Sequence, residues 1–316
     1  MFNPEMPYRN VGASGLKVSA LSLGGWITFG GSVKDQSEIK KIHRAAYEAG
    51  VNFFDCADIY AMGNSEIEMG NALKDFPRHE LIISSKVFWP MSEDPNDKGL
   101  SRKHVIESVN KSLKRMQLDY LDIYFCHRYD PDTPLEETVR AMDDLIKQGK
   151  ILYWGTSEWS GEQLEEVNEF CTENGYYRPL CEQPQYNLIF RERFEEEILP
   201  VVKKTGMGTV TWSPLASGML SGKYDNGVTE GRLTKINWLR ELLINPENIQ
   251  KVKEFKKLAD SMNCSRTQLA ISWLLMQKGV SSVILGASSL AQLQENLGAL
   301  KIKPNSEVFN KITTIF

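Results

Sequence analysis

Residues 51–60 read Val-Asn-Phe-Phe-Asp-Cys-Ala-Asp-Ile-Tyr: an apolar run that ends on a carboxylate at Asp55, with a tyrosine five residues further on. A short, continuous apolar run is how a parallel strand covered on both faces reads. The same shape recurs on either side of it. Strands are expected at Ala20–Leu23, Val51–Asp55, Leu81–Lys86, Leu121–Cys126, Ile151–Thr156, Leu180–Gln183, Thr209–Trp212 and Ser282–Leu285. From the second onward they close on Asp55, Lys86, His127, Ser157, Gln183 and Ser213, with Gly286 after the last. Up to Ser213 the spacing stays near the ~30 residues of one βαβ unit. The final interval is longer and holds a Gly-studded segment, Gly218 to Gly231, and an extra helix near Glu247–Met262.

Helix signals fill the gaps. Asp35 with Glu38 opens a pattern continued by Ile39, Ile42 and Ala46, and Ser101 precedes Val105, Val109 and Leu113. Thr133-Pro134-Leu135-Glu136 reads as an N-cap, a proline at the first helical position and an acid behind it; that helix should stop at Gly149. Ser160 with Gln163 and Ser265 with Gln268 have capping-box spacing. Eight strands in this rhythm predict an α/β fold, a (β/α)8 TIM barrel, with an N-terminal hairpin at Tyr8–Val18 and extra C-terminal helices. Residues 1–316 are expected to form one domain. A doubly wound sheet is the competing fold, but it would normally carry GxGxxG after its first strand, and that motif is absent.

Composition removes several classes of function. Lys and Arg total 37 against 41 Asp and Glu, a net charge of −4, which argues against broad nucleic-acid or anionic-membrane binding. The longest uncharged stretches are broken by Gly and Ser, and MFNPEMPYRN lacks an apolar signal core, so neither membrane insertion nor export is expected. Five cysteines without a CxxC suggest no disulfide framework and no metal site, and a reducing, cytoplasmic setting.

The strand ends carry the chemistry. Taken singly, a polar strand end is what contact with solvent produces. Asp, Lys and His together at one barrel mouth are costly without partners. A tyrosine hydroxyl is a weak acid near neutral pH. A lysine cation at Lys86, held by Asp55, would lower the pKa of Tyr60 and make it a usable proton donor for carbonyl chemistry. His127 would hydrogen-bond the same oxygen or the substrate carbonyl. Gly286-Ala-Ser-Ser289 runs into a helix with Gln292 at capping-box distance, which serves either as an ordinary cap or as an anion site. Trp212 is either buried or stacked on a flat ring. Lys223 and Arg232 are either solvated loop charges or cations over a diphosphate.

On these residues the chain resembles the aldo-keto reductases, over nearly its whole length. NFFDCADIY resembles the family's aspartate–tyrosine block, Lys86 and His127 fall at the other two tetrad positions, and GTSEWS, EQPQYN, TWSPLASGMLSGKY and VILGAS…QLQEN follow in family order. FWP, GLSRKH, TPLEETVRAM, YWGTSEWS and VSSVILGAS are similar to the potassium-channel β-subunit branch. The vertebrate members of that branch have Asn where this chain has His127, so the complete tetrad points to a working enzyme.

The resemblance implies NADPH/NADP+ as cofactor, with Asp55, Tyr60, Lys86 and His127 as the catalytic set and Tyr60 as general acid. It implies Ser157 and Gln183 at the nicotinamide carboxamide and Trp212 on the ring. Ser213, Pro214, Leu215, Ser217, Gly218 and Lys223 would follow the diphosphate. Arg232, Gly286, Ser288, Gln292, Glu295 and Asn296 would surround the adenosine end. Trp26, which would also touch the cofactor, Phe88, Trp89 and Tyr129 would shape a pocket for a small-molecule carbonyl substrate, with no metal. Glu158 stands where many reductases have Asn, so the family's carboxamide contact does not carry over to it; Gln292 stands where many have Arg, which implies a weaker 2′-phosphate contact. The expected activity is reduction of aldehydes or ketones by hydride transfer. The alternatives are a redox-sensing accessory subunit of a membrane channel, with slow turnover and a homotetrameric assembly, and a barrel enzyme for phosphate-bearing substrates.

Overall fold

The structure is a computed structural model that describes residues 3, 5–228, 232–234 and 237–316, the side chain of Arg232 excepted. A hairpin of β1 (Tyr8–Asn10) and β2 (Lys17–Ser19) precedes eight barrel strands. These are β3 (Leu21–Gly24), β4 (Phe53–Asp55), β5 (Ile82–Val87), β6 (Leu121–Cys126), β7 (Ile151–Ser157), β8 (Cys181–Gln183), β9 (Gly208–Thr211) and β10 (Val280–Leu285). All neighbours in the ring are parallel, and β10 closes it by pairing with both β9 and β3. The expected (β/α)8 barrel is therefore the observed fold, each strand end lying within about two residues of its expected place.

Helices cover the ring because each presents one apolar stripe. In α1 (Gln36–Glu48) Ile39, Ile42 and Ala46 are buried, and Asp35 caps the helix by accepting from Ser37 N. Next come α2 (Asn64–Leu73), α3 (Arg102–Met116), α4 (Leu135–Lys147) and α5 (Gly161–Asn174). They are followed by α6 (Leu199–Thr205), α7 (Asn237–Leu243), α8 (Pro246–Ser261), α9 (Arg266–Leu275), α10 (Leu290–Leu297) and α11 (Ser306–Ile315). Both expected capping boxes are present, at α5 and α9. The start of α4 differs from expectation. Pro134 occupies the cap position itself, and the Thr133 hydroxyl donates to Asp130 Oδ2 rather than capping the helix. Asp130 also accepts from Leu100 N, so it outcompetes the helix for Thr133.

The core has two parts. One lies between barrel and helices. The other fills the barrel interior with Phe53, Ile82, Ile123, Phe125, Val210 and Ile284, and the hairpin residues Val11 and Val18 stop its lower end. Gly12 has φ +56, and a Cβ there would meet Gly206 O at 2.3 Å, so only glycine lets the hairpin seat this closely. The plug leaves the carboxyl-end mouth as the open side of the barrel. All five cysteines are free. Among the described residues no helix is long and apolar enough to cross a membrane.

Candidate active site

At the mouth, β4 and β5 pair in a register that sets Asp55 beside Ser84, two residues before Lys86. Lys86 is fully buried, and its Nζ donates to Asp55 Oδ2 at 2.6 Å, to Cys56 O at 2.7 Å and to Tyr60 Oη at 3.3 Å. An ammonium has three donors, and all three are used. Asp55 accepts further from Ser84 Oγ at 2.7 Å and from Gln183 Nε2 at 3.1 Å, which ties strands β4, β5 and β8 together. Tyr60 enters from the turn between β4 and α2, where Ala61 and Met62 hold φ of 48° and 52°. Left-handed conformations at two consecutive non-glycine residues are strained, and they fix where the tyrosine sits.

Burial would take the charge from Lys86, but Asp55 foremost, together with Tyr60 and Cys56, outweighs it, so its pKa is raised and it stays an ammonium. Tyr60 departs from expectation. Burial pushes its phenol up to about 12, outweighing the opposing pull of Lys86, so the net shift is upward rather than downward. Lys86 moderates the shift without reversing it. Burial, with Lys86 and Arg128 nearby, drives His127 well below the usual histidine range and keeps it neutral. Its ring stands edge-on to Tyr60 at 5.8 Å and to Trp89 at 6.2 Å, and its Nδ1 has no hydrogen-bond partner.

These groups face a cavity of about 340 Å³. Of the residues expected at the site, Trp26, Asp55, Tyr60, Trp89, His127, Ser157, Gln183, Trp212, Ser213, Pro214 and Gly286 line it. Lys86 lies just behind, joined through Asp55 and Tyr60. Phe88 and Tyr129, expected in the pocket, are not among the lining residues. Phe88 packs edge-on to Trp89 at 5.1 Å, and Tyr129 edge-on to Trp159 at 4.9 Å, both partly buried against the core. Gly24, Ile59, Arg128, Ile284 and Leu285 line the cavity and were not anticipated. Arg128 carried a usable signal, since it directly follows the strand-end His127.

The remaining expected contacts lie outside that lining. Leu215, Ser217, Gly218 and Lys223 belong to the segment after β9, where Ser213, Ala216, Ser217 and Gly218 all have positive φ. Ser288, Gln292, Glu295 and Asn296 follow β10. There Gln292 Oε1 accepts from both Ser288 N and Ser288 Oγ, and Asn296 Nδ2 donates to Gly286 O at 3.2 Å. Ser289 caps α10 by accepting from Gln292 N, but the Gln292 side chain turns to Ser288, so the expected capping box is only half formed. Glu295 accepts from Gln268 Nε2 at 3.4 Å. The expected contact from the Arg232 side chain falls outside the described residues.

Glu158 acts on the wall of the cavity. It has φ +59, and its Oε1 accepts from Trp212 Nε1 at 2.8 Å and from Gln185 N at 2.6 Å, while Oε2 pairs with Arg193. Trp212 in turn meets Trp26 edge-on at 5.7 Å. One carboxylate therefore ties the ends of β7, β8 and β9. Glu158→Ala should free the Trp212 indole, with altered near-UV circular dichroism and a stability loss of about 1–3 kcal/mol from its unpaired donors. Glu158→Gln, which keeps an acceptor oxygen, should restore the spectrum. A wild-type spectrum in Glu158→Ala would show that the bond does not hold the ring.

A closed parallel barrel whose strands and the turn after one of them bring a buried lysine, a carboxylate and a tyrosine to one mouth has the build of a barrel enzyme. The Aldo/keto reductase family model matches residues 20–316, and the chain belongs to that family. Its members are oxidoreductases that in general reduce carbonyl groups with a nicotinamide dinucleotide. Among the described residues no group of three or more His, Cys, Asp and Glu is placed to hold a metal ion.

Proposed function

We propose that this chain reduces aldehydes or ketones to alcohols with NADPH, and that Tyr60 delivers the proton. The observation that carries the reading is the Lys86 ammonium, which touches Asp55 and the Tyr60 hydroxyl at the edge of the cavity. The residues present suit the cofactor. Ser157, Gln183 and Trp212 offer hydroxyl, amide and flat indole on one side of the cavity. Ser213 Oγ is buried without a partner, and at Gly286 a Cβ would meet nothing within 4 Å, which suits close approach of a ligand. Ser217, Gly218, Lys223, Arg232, Ser288, Gln292, Glu295 and Asn296 would hold the diphosphate and adenosine portions.

When bound, the dinucleotide supplies the hydride. Tyr60 Oη gives its proton to the carbonyl oxygen, and Lys86 stabilises the phenolate left behind. Asp55 keeps Lys86 charged and in place. Neutral His127 orients the carbonyl oxygen through a ring nitrogen. The apolar walls, Trp26, Ile59, Trp89 and Leu285 among them, would leave little room for water once cofactor and substrate fill the cavity.

We assign the chain to the potassium-channel β-subunit-like branch on the motifs FWP, GLSRKH, TPLEETVRAM, YWGTSEWS and VSSVILGAS, as one cytoplasmic domain, and read it as a working enzyme because His127 completes the tetrad. The competing reading is a homotetrameric channel accessory with slow turnover. Steady-state NADPH oxidation against a panel of aldehydes and ketones separates the two: turnover supports the enzyme, whereas binding of NADPH without oxidation by any carbonyl favours the accessory role. NADPH should bind more tightly than NADH through a charged contact from Arg232 to the 2′-phosphate, and by no more than on the order of 10- to 100-fold, or ~1.4–2.8 kcal/mol, since Gln292 adds no second charge there. Titrating both cofactors checks this, and equal affinities would remove the preference. Arg232→Ala should weaken NADPH more than NADH.

A further inference from the structure

Among the described residues, Arg128 is the one charged side chain lining the cavity that has no partner of opposite charge. Of the ionisable side chains in that lining, Asp55 is paired with Lys86 at 2.6 Å, and burial keeps Tyr60 and His127 neutral. Arg128 is half-buried. Its Nη1 donates to the His127 carbonyl at 2.5 Å, and its Cζ lies 5.6 Å from the centre of the Trp89 ring. Among the described residues no carboxylate pairs with it. The acid nearest in sequence, Asp130, is occupied at 2.7 Å by Leu100 N and at 2.7 Å by the Thr133 hydroxyl. A guanidinium has five N–H donors. Half-withdrawn from water beside Trp89, with one N–H used on the His127 carbonyl, it keeps donors that can meet an anion entering the cavity.

The position of Arg128 narrows where that anion would come from. It follows His127 after the end of β6 and lies over the Trp89 ring, on the wall that His127 shares with Tyr60. Ser157, Gln183 and Trp212, by contrast, come from β7, β8 and the end of β9. We propose that Arg128 sets substrate specificity and selects carbonyl compounds that carry a carboxylate, such as aldehyde acids and keto acids. The proposal rests on the carbonyl-reductase reading above and names its substrate class. Arg suits this task because its planar fork can take a carboxylate through two parallel bonds.

The test compares 3- and 4-carboxybenzaldehyde with their methyl esters, which keep the aldehyde and remove the charge. With NADPH, wild type should favour the better acid over its ester by on the order of 10- to 100-fold in kcat/KM, mostly through KM, as one charged hydrogen-bonded contact allows. Arg128→Gln should collapse that ratio to near one, Arg128→Lys should retain part of it, and added salt should shrink it in wild type. An acid-to-ester ratio near one in wild type, or one unchanged in Arg128→Gln, would overturn the proposal. So would a loss of NADPH affinity in Arg128→Gln with the ratio intact, since the anion would then belong to the cofactor. Binding of benzoate, read by tryptophan fluorescence, keeps the two ideas distinguishable. If wild type reduces no carbonyl yet binds benzoate, and Arg128→Gln does not, the reductase reading falls while the anion site stands. If neither protein binds benzoate and the ratio is near one, the anion site falls alone.

Discussion

Tyr60→Phe should lower kcat for carbonyl reduction by roughly 10²–10⁴-fold, the usual share of a general acid, while leaving the affinity for NADPH within a few-fold of wild type. The expectation follows from what the change removes. Phenylalanine keeps the ring that packs edge-on to His127, so the wall of the cavity persists. The lost atom is the hydroxyl that accepts from Lys86 at 3.3 Å. Because burial holds that phenol up to about 12, it remains protonated throughout the neutral range. Wild-type activity should therefore show no loss from Tyr60 ionisation until the pH approaches that value, since only there does the donor lose its proton. An alkoxide is a far stronger base than a phenolate, so even an acid this weak gives up its proton as the hydride adds. Wild-type kcat in Tyr60→Phe would remove the proposed mechanism outright.

Lys86→Met should be at least as damaging to turnover, and it should also cost stability. Met removes the cation that moderates the phenol pKa and leaves the Asp55 carboxylate buried opposite an apolar group. Breaking a buried ion pair by removing one partner typically costs about 3–5 kcal/mol. Denaturant unfolding beside steady-state kinetics separates the two effects, provided turnover is measured where the variant is fully folded. Asp55→Asn should be milder in turnover, because an asparagine oxygen still accepts from Lys86. Asp55 acts on the reaction through Lys86 rather than directly. A folded Asp55→Asn that proves clearly slower than Lys86→Met would assign the dominant role to the carboxylate.

The architecture was legible in the sequence because parallel strands buried on both faces must be apolar throughout, and their polar termini mark where each one stops. That signal located Asp55, Lys86 and Gln183 on three different strands, and Tyr60 followed from its place in the turn after Asp55. It failed one residue beyond the strands. Phe88 and Tyr129 each lie within three residues of a strand end, yet neither lines the cavity, while Trp89 and Arg128 do. Past the last ladder bond the alternation of side chains no longer applies, and loop backbone decides which neighbour faces the mouth. The net direction of the Tyr60 shift was hidden for a different reason. The sign of the Lys86 effect can be read from charge, but the opposing effect of burial depends on how many atoms surround the hydroxyl. Glu158 was visible as a departure from a pattern, but its bond to Trp212 depends on a left-handed backbone at residue 158.

The way the ring closes bears on how the chain survives its own synthesis. β10 inserts between β9 and β3, and the Ser282 hydroxyl bonds Ser19 O across 263 residues of chain. A chain that has made β3 to β9 but not β10 can form only an open parallel sheet with two bare edges, one at β3 and one at β9. Bare edges recruit other strands, and contacts between distant parts of a chain form slowly. A release even slightly before Val280 would thus produce more than an inactive enzyme, because both edges would stay unpaired. Quality control of this protein therefore turns on its final strand, and premature stop codons late in the message should be as harmful to solubility as those in the middle.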